Sequence, residues 1–291
     1  MLRLVLPKGS LEQATFDLFE DADLGVSRSS DVDYRASIDD PRIDDVRILR
    51  PQEIPRYVAD GLFDVGITGR DWVEETGADV VTLSELHYSK ATARPVNVVL
   101  AVGADSAATS VEQLPAGVRV HTEYPELTRR FLEKHGVDAE ISLSYGATEA
   151  KVPEIADAVV EITETGRALR AAGLKILDTI LVSYTELIAN PAAHADAPKR
   201  KAMEQVQTLL SGALEARGRV LVKLNVDEAR LDEVIRLLPA LKAPTVSKLF
   251  GDDAFAVETV VAKSAINTLI PELKEHGATG IIELPIAKII H

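Results

Sequence analysis

The segment Glu161-Ile-Thr-Glu-Thr-Gly-Arg-Ala-Leu169 sets an acid, two threonines and a glycine between an apolar run and the start of a helix. That layout suits a 5'-phosphate on a ribose. Successive backbone N–H groups at a helix start face an anion, and the helix dipole favours its charge. The hydroxyls of Thr163 and Thr165 add donors. The Glu161 carboxylate can accept hydrogen bonds from ribose hydroxyls. Taken alone, the segment reads more simply as a strand-to-helix turn with a threonine near the N-cap, so its neighbours must decide.

Lys8-Gly-Ser-Leu11 follows an apolar run. Gly9 permits close backbone approach and Lys8 offers a point charge for phosphate; an exposed lysine before an N-cap serine is the plain alternative. Asp64-Val-Gly-Ile-Thr-Gly-Arg-Asp71 is more distinctive, with two glycines and a small hydroxyl at the carboxyl end of a strand. Open α/β sheets place ligands at such ends. In His121-Thr-Glu-Tyr-Pro125, Tyr124 can stack on a purine or pack as a half-buried ring. Arg129 and Arg130 follow on the helix. In Gly146-Ala-Thr-Glu149, the acid can meet a ribose, a metal-bound water or only solvent.

Other chemistries find no support. No His pair at metal-ligand spacing accompanies an acid, which disfavours catalytic zinc. A Gly-x-Ser-x-Gly elbow and a Walker-type loop are both missing from the sequence, and the first strand–helix turn lacks the dinucleotide fingerprint.

The elements that must position these residues are short apolar strands alternating with helices. Strands are expected at Leu2–Leu6, Val46–Leu49, Asp64–Thr68, Val96–Val102, Val118–His121, Ile141–Leu143 and Asp157–Ile162. A helix is expected from Ser10, another after Pro55 ending near Gly61, another from Gly69, and another from Pro125 to Lys134 stopped by Gly136. The alternation predicts α/β layers with mainly parallel sheets. After Asn190-Pro191, Ala195–Arg217 reads as one long helix. Then come a strand at Arg219–Asn225, a helix at Glu228–Leu238, strands at Val246–Phe250 and Phe255–Val261, a helix at Ser264–His276 and a strand at Ile281–Leu284. That is a ferredoxin-like βαββαβ unit, with Gly251-Asp-Asp253 as its hairpin signal.

The 291 residues suit about two domains. Hydrophobic residues make up 46% and aromatics only 4%, so Val, Ile, Leu and Ala must fill the core. With no cysteine, a disulfide framework and a thiolate metal site are excluded. The net charge of −14 disfavours nucleic acid as a partner. The N-terminus is too soon interrupted for a signal peptide, and the sequence has no apolar run of about 18 residues. A soluble cytoplasmic protein without a membrane partner is expected.

Together the motifs resemble the ATP phosphoribosyltransferase family of histidine biosynthesis, in its long form. The resemblance spans the chain. It rests on Leu6–Leu11, Asp64–Gly69, Thr122–Pro125, Gly146–Glu149 and Ala156–Leu169, and extends to Lys242-Ala-Pro-Thr-Val246 and Gly277–Ile286. It implies a two-lobed, periplasmic-binding-protein-like α/β catalytic core. One lobe is expected over 1–88 and completed by about 178–212, and the other over 89–177. A C-terminal ferredoxin-like (ACT-like) regulatory domain is expected over 213–291. It implies transfer from phosphoribosyl pyrophosphate to N1 of ATP, with Mg2+ required, feedback inhibition by histidine, and a homo-oligomer interconverting between dimer and hexamer.

By the same resemblance, Glu161, Thr163, Glu164, Thr165, Gly166, Arg167 and Ala168 hold phosphoribosyl pyrophosphate. Lys8, Gly9, Gly69, Arg70, Asp71 and Tyr124 line the ATP side, and Thr245 and Gly280 belong to the histidine site. The metal's ligands are not assigned. Ala168 stands where the family commonly has Thr, and Glu164 where a small hydroxyl residue is usual, so Glu164 is expected to face solvent or Mg2+. The reaction is displacement at an anomeric carbon. Adenine N1 has a free lone pair, so alignment and charge neutralisation are expected to matter more than a general base. A solute-binding protein and an inactive regulatory relative are the competing classes.

Overall fold

A computed structural model describes residues 1–88, 95–239 and 243–291. Ser89, the expected first residue of the second lobe, and Lys242 of the Lys242–Val246 motif lie outside the described residues. The chain divides into two compact units, Met1–Gln207 and Thr208–His291.

The first unit begins with β1 (Leu2–Pro7), α1 (Glu12–Asp21), β2 (Val26–Ser27), β3 (Arg35–Ile38), β4 (Ile43–Leu49), α2 (Ile54–Ala59), β5 (Val65–Gly69), α3 (Arg70–Thr76) and β6 (Val81–Leu86). It continues through β7 (Val96–Gly103), β8 (Val118–Thr122), α4 (Pro125–Lys134), β9 (Ala139–Leu143), β10 (Ala158–Thr163), α5 (Arg167–Ala171) and β11 (Leu174–Ser183). It then enters β12 (Thr185–Ala189), α6 (Pro191–Ala195) and α7 (Ala197–Ala216), within which the division falls.

Two sheets form. The larger has the order β2-β3-β4-β1-β5-β12-β6 and the smaller β11-β7-β10-β8-β9. The chain passes to the smaller sheet after β6 and returns between β11 and β12, the two-lobed arrangement expected. The return falls at Tyr184, because β11 stays paired with β7 as far as Ser183 opposite Val96. The expected return near Asp178 is therefore about six residues early.

The sheets are mixed rather than mainly parallel. Pairs β1–β4, β1–β5, β8–β10 and β8–β9 are parallel. Pairs β5–β12, β6–β12, β7–β10 and β7–β11 are antiparallel, as are β2–β3 and β3–β4. The strands that carry the chain between sheets run back against their neighbours, and helical alternation alone does not reveal that. β5 and β12 are buried along their whole length, as central strands covered on both faces should be.

Helix α4 has Pro125 at its first turn and Gly136, at φ +68°, just past its end, both as expected. Helix α1 starts at Glu12, and Ser10 does not cap it: Leu11 occupies the N-cap without a side-chain bond. The expected Ala195–Arg217 helix is broken at Asp196, with α6 before it and α7 after. Asn190 caps α6 by accepting from the Ala193 N–H at 2.9 Å.

The second unit carries β13 (Arg219–Asp227), α8 (Leu231–Leu237), β14 (Thr245–Lys248), β15 (Ala254–Ala262), α9 (Ile266–Glu275) and β16 (Thr279–Pro285). Its antiparallel sheet has the order β14-β15-β13-β16, the ferredoxin-like arrangement expected. Val220, Val222, Leu224 and Val226 alternate inward from β13 to meet Val234, Leu269 and Leu273 of the helices.

No helix among the described residues is long and apolar enough to cross a membrane.

Candidate active site

Strand β10 ends at Thr163, and the chain turns through Glu164 and Thr165 to Gly166 before α5. Gly166 sits at φ +70°, which disfavours a side chain. A Cβ there would also meet Arg170 Nη1 at 2.7 Å and Ile176 Cδ1 at 3.2 Å. Thr163 Oγ1 accepts the Gly166 N–H at 2.7 Å, so this hydroxyl and this amide shape the loop itself. Arg170, which sequence reasoning missed, donates to the Thr165 carbonyl at 3.0 Å and brings a cation to the loop. Its position four residues after Gly166 on a helix was the available signal. Thr165, Arg167 and Ala168 are exposed.

Thr163 and Glu164 form one wall of a cavity of about 420 Å³. Gly69, Asp71 and Trp72 from the larger sheet's side line it too, with Ser10, Tyr124, Ser183 and Tyr184. Its size is in the range of small-molecule sites. Glu164 therefore lines the cavity and is partly buried, not wholly turned to solvent. Gly69 leaves no room for a side chain, since a Cβ would lie 2.1 Å from Asp71 Oδ1.

Of the residues expected on the ATP side, Gly69, Asp71 and Tyr124 line this cavity together. Lys8, Gly9 and Arg70 are not among its lining residues. Lys8 Nζ lies 4.0 Å from the Tyr34 ring centroid, a cation–π contact. The Gly9 N–H donates to Glu12 Oε2 at 3.3 Å. The Arg70 N–H donates to the Tyr184 carbonyl at 2.9 Å, and its side chain lies 4.0 Å from Glu74.

Tyr124 is buried, with its ring centroid 4.5 Å from that of Trp72. Its hydroxyl donates to Asp71 Oδ2 at 2.7 Å. Ser183 Oγ donates to Asp71 Oδ1 at 2.6 Å and accepts the Asp71 N–H at 3.0 Å. Asp71 thus clasps two residues of the smaller sheet's lobe. Burial pushes its pKa up against the lowering effect of both hydroxyls. Burial, then the Asp71 charge, pushes the Tyr124 phenol well above its ordinary value. Beside this clasp, Glu75 of α3 accepts the Glu126 and Leu127 N–H groups at 3.0 and 2.8 Å, capping α4 from the other lobe.

A second cleft of about 750 Å³ adjoins the first and shares Gln52, Trp72 and Glu123 with it. Arg50, Arg56 and Tyr145 also line it. Arg50 and Arg56 have no ion-pair partner among the described residues. Sequence reasoning missed both; their place just beyond β4, at a strand's carboxyl end, was the signal.

Glu161 is half-buried, and burial raises its pKa, with the Glu123 and Glu149 charges adding to the shift. Among the described residues no three His, Cys, Asp or Glu side chains converge as a metal cage. Magnesium keeps several waters and binds through one or two carboxylates plus substrate phosphates. Glu123, which lines both cavities, offers a carboxylate of that kind.

In the second unit, Thr245 opens β14 and Gly280 lies on β16, at opposite edges of the sheet. Three strand spacings of about 4.8 Å separate those edges, roughly 14 Å. The fold does not bring these two residues together within one chain.

The ATP phosphoribosyltransferase family model matches residues 50–212, and the model for the HisG C-terminal domain matches residues 216–288. The ATP phosphoribosyltransferase of Desulforudis audaxviator is 48% identical over 291 residues, covering 99% of each chain. That of Solibacter usitatus is 46% identical over 290 residues, covering all of this chain and 99% of the relative. Among solved structures, the ATP phosphoribosyl transferase (HisG:HisZ) complex from Thermotoga maritima is similar at 26% identity and a TM-score of 0.61. That match covers 72% of this chain and 98% of the other.

Proposed function

We propose that this chain, which belongs to the ATP phosphoribosyltransferase family, joins N1 of ATP to C1 of phosphoribosyl pyrophosphate. The products are phosphoribosyl-ATP and pyrophosphate, the first step of histidine biosynthesis. One observation carries the assignment of the site. Thr163 and Glu164, where the loop leaves β10, and Gly69 and Asp71, where β5 ends, come from different sheets and line one cavity of about 420 Å³. One wall suits the sugar phosphate and the other a nucleotide, so the two meet across the cavity.

The 5'-phosphate sits at the loop, against the outer amides and the Arg170 guanidinium. Arg50 and Arg56, unpaired in the adjoining cleft, suit the polyphosphate chains and offset locally the overall charge of −14. Glu123, which lines both cavities, and Glu161, whose pKa its charge raises, would hold the expected Mg2+. The metal supplies charge neutralisation for the leaving pyrophosphate. The residues bind, orient and exclude water. Alignment of N1 with C1 can lower the barrier by about 7–11 kcal/mol. Asp71, buried and bonded to two hydroxyls, holds the lobes and is not a proton acceptor for the reaction.

Incubating the chain with ATP, phosphoribosyl pyrophosphate, Mg2+ and pyrophosphatase should produce the near-ultraviolet absorbance of phosphoribosyl-ATP. No product under those conditions sinks the reading and favours a binding protein. Replacing Gly166 by Val should lower phosphoribosyl pyrophosphate affinity more than about tenfold, because the left-handed backbone costs a side chain about 1–2 kcal/mol and Arg170 is displaced. Unchanged affinity refutes the phosphate's placement.

The second unit is a histidine-responsive regulatory domain in this proposal. Thr245 and Gly280 lie at opposite sheet edges, so one histidine touches both only where a second copy supplies one of them, which supports a homo-oligomer. Deleting the chain after Arg217 should abolish histidine inhibition and leave some catalysis; retained sensitivity would reject this role. The reaction belongs in the cytoplasm, where its substrates are.

A further inference from the structure

Gln52 stands where the two cavities meet and lines both. Its side-chain amide makes no hydrogen bond among the described residues, and its Oε1 is buried without a donor. Nearby groups are already committed. Glu53 accepts from the Tyr57 hydroxyl at 3.2 Å, and the Thr68 hydroxyl donates to the Pro51 carbonyl at 2.9 Å. A buried carbonyl left unpaired carries a desolvation penalty that a matching ligand removes.

We propose that Gln52 selects the purine by pairing with its N6 amine and N7. This rests on the reading of ATP as acceptor. N1 is the attacking atom, so its lone pair must stay clear of any donor, and recognition through the edge that carries N1 and N6 together would block it. The edge that carries N6 and N7 remains, with one donor and one acceptor. An amide matches it with its carbonyl and NH2 groups, the pairing by which Gln reads adenine in a DNA groove. The terminal glutamine torsion is broad, and rotation about it turns both groups to the cavities. Trp72, which also lines both cavities, supplies a ring beside the base. Guanine presents acceptors at both O6 and N7, leaving the Gln52 carbonyl unpaired. Gln52 is thus a specificity residue, distinct from the groups that hold phosphate.

The test is calorimetric titration of the full chain with ATP, 7-deaza-ATP, which lacks N7, and purine riboside triphosphate, which lacks the amine. Unmodified protein should bind each analogue about tenfold more weakly than ATP. Gln52→Leu should bind all three about equally. Gln52→Glu keeps an acceptor and loses the donor, so it should ignore the loss of N7 and still sense the loss of the amine. The inference is overturned if either variant keeps the full discrimination, or if the unmodified protein shows none. Product formation measured in the same samples separates the two levels. No phosphoribosyl-ATP from the unmodified protein removes the ATP reading itself, whereas product with discrimination indifferent to Gln52 removes only this role.

Discussion

Two buried aspartates flank β5, and they live in opposite electrostatic worlds. Asp64 precedes the strand and is ringed by cations. It accepts from the Arg3 N–H at 2.9 Å, from Arg3 Nη2 at 3.0 Å and from Lys199 Nζ at 2.9 Å. Burial works against its charge, but those bonds outweigh it and hold the carboxyl below its usual range. Asp71 follows the strand and has no cation, only the hydroxyls of Tyr124 and Ser183 and nearby backbone amides, and there burial wins. Paired charge at Asp64 ties β1 and α7 to one lobe. Neutral partners at Asp71 clasp the lobes at the cavity. Asp71, at the strand's carboxyl end, thus has no ion pair, whereas Asp64, before its amino end, has two.

The largest effect should come from Asp64→Ala. Removing one partner of a buried ion pair costs about 3–5 kcal/mol. The lower end applies, because the Arg3 and Lys199 side chains are 42% and 34% exposed and regain water. Urea unfolding measures it; a loss under about 1 kcal/mol would show that the cluster is ornamental. Next comes Tyr124→Phe, which leaves Asp71 Oδ2 without a donor at a cost of about 1–3 kcal/mol. A variant as stable as the parent would dissolve the clasp.

The smallest effect is in the pH profile. Asp64 stabilises fully above the ordinary carboxylate pKa of about 3.9, and that contribution is lost as pH falls through its lower folded value. Asp71 runs the other way. Its neutral form favours the fold fully below about 3.9, and that advantage is lost as pH rises through its raised folded value. Subtracting the profile of Asp71→Asn from that of the parent should therefore leave a stability difference that declines with rising pH above about 4. A difference that grows with pH would mean that Asp71 is held charged.

Local signals sufficed for several elements, though not for the start of α1 at Glu12 or the break at Asp196. Helix α4 was legible from Pro125, its apolar spacing and Gly136. The βαββαβ unit was legible from alternation and the Gly251 hairpin. The Thr163–Gly166 turn was legible because a glycine and two hydroxyls after an apolar run have few other uses. Strands β6, β11 and β12 were not foreseen, for each is defined by distant partners: Ser183 of β11 lies opposite Val96. The same distance hid the clasp, since Ser183 and Asp71 are 112 positions apart. It hid Lys8 too, whose partner is the Tyr34 ring and not the cavity.

By itself the sequence determined much of the local conformation: most strand and helix positions, where a left-handed glycine is needed, which faces are apolar. Those choices depend on backbone sterics and side-chain period, which a few consecutive residues set. Only the tertiary structure decided protonation and partnership. A carboxylate's charge state depends on what surrounds it after burial, and the surroundings of Asp64, Asp71 and Gln52 come from segments that meet only when the sheets assemble.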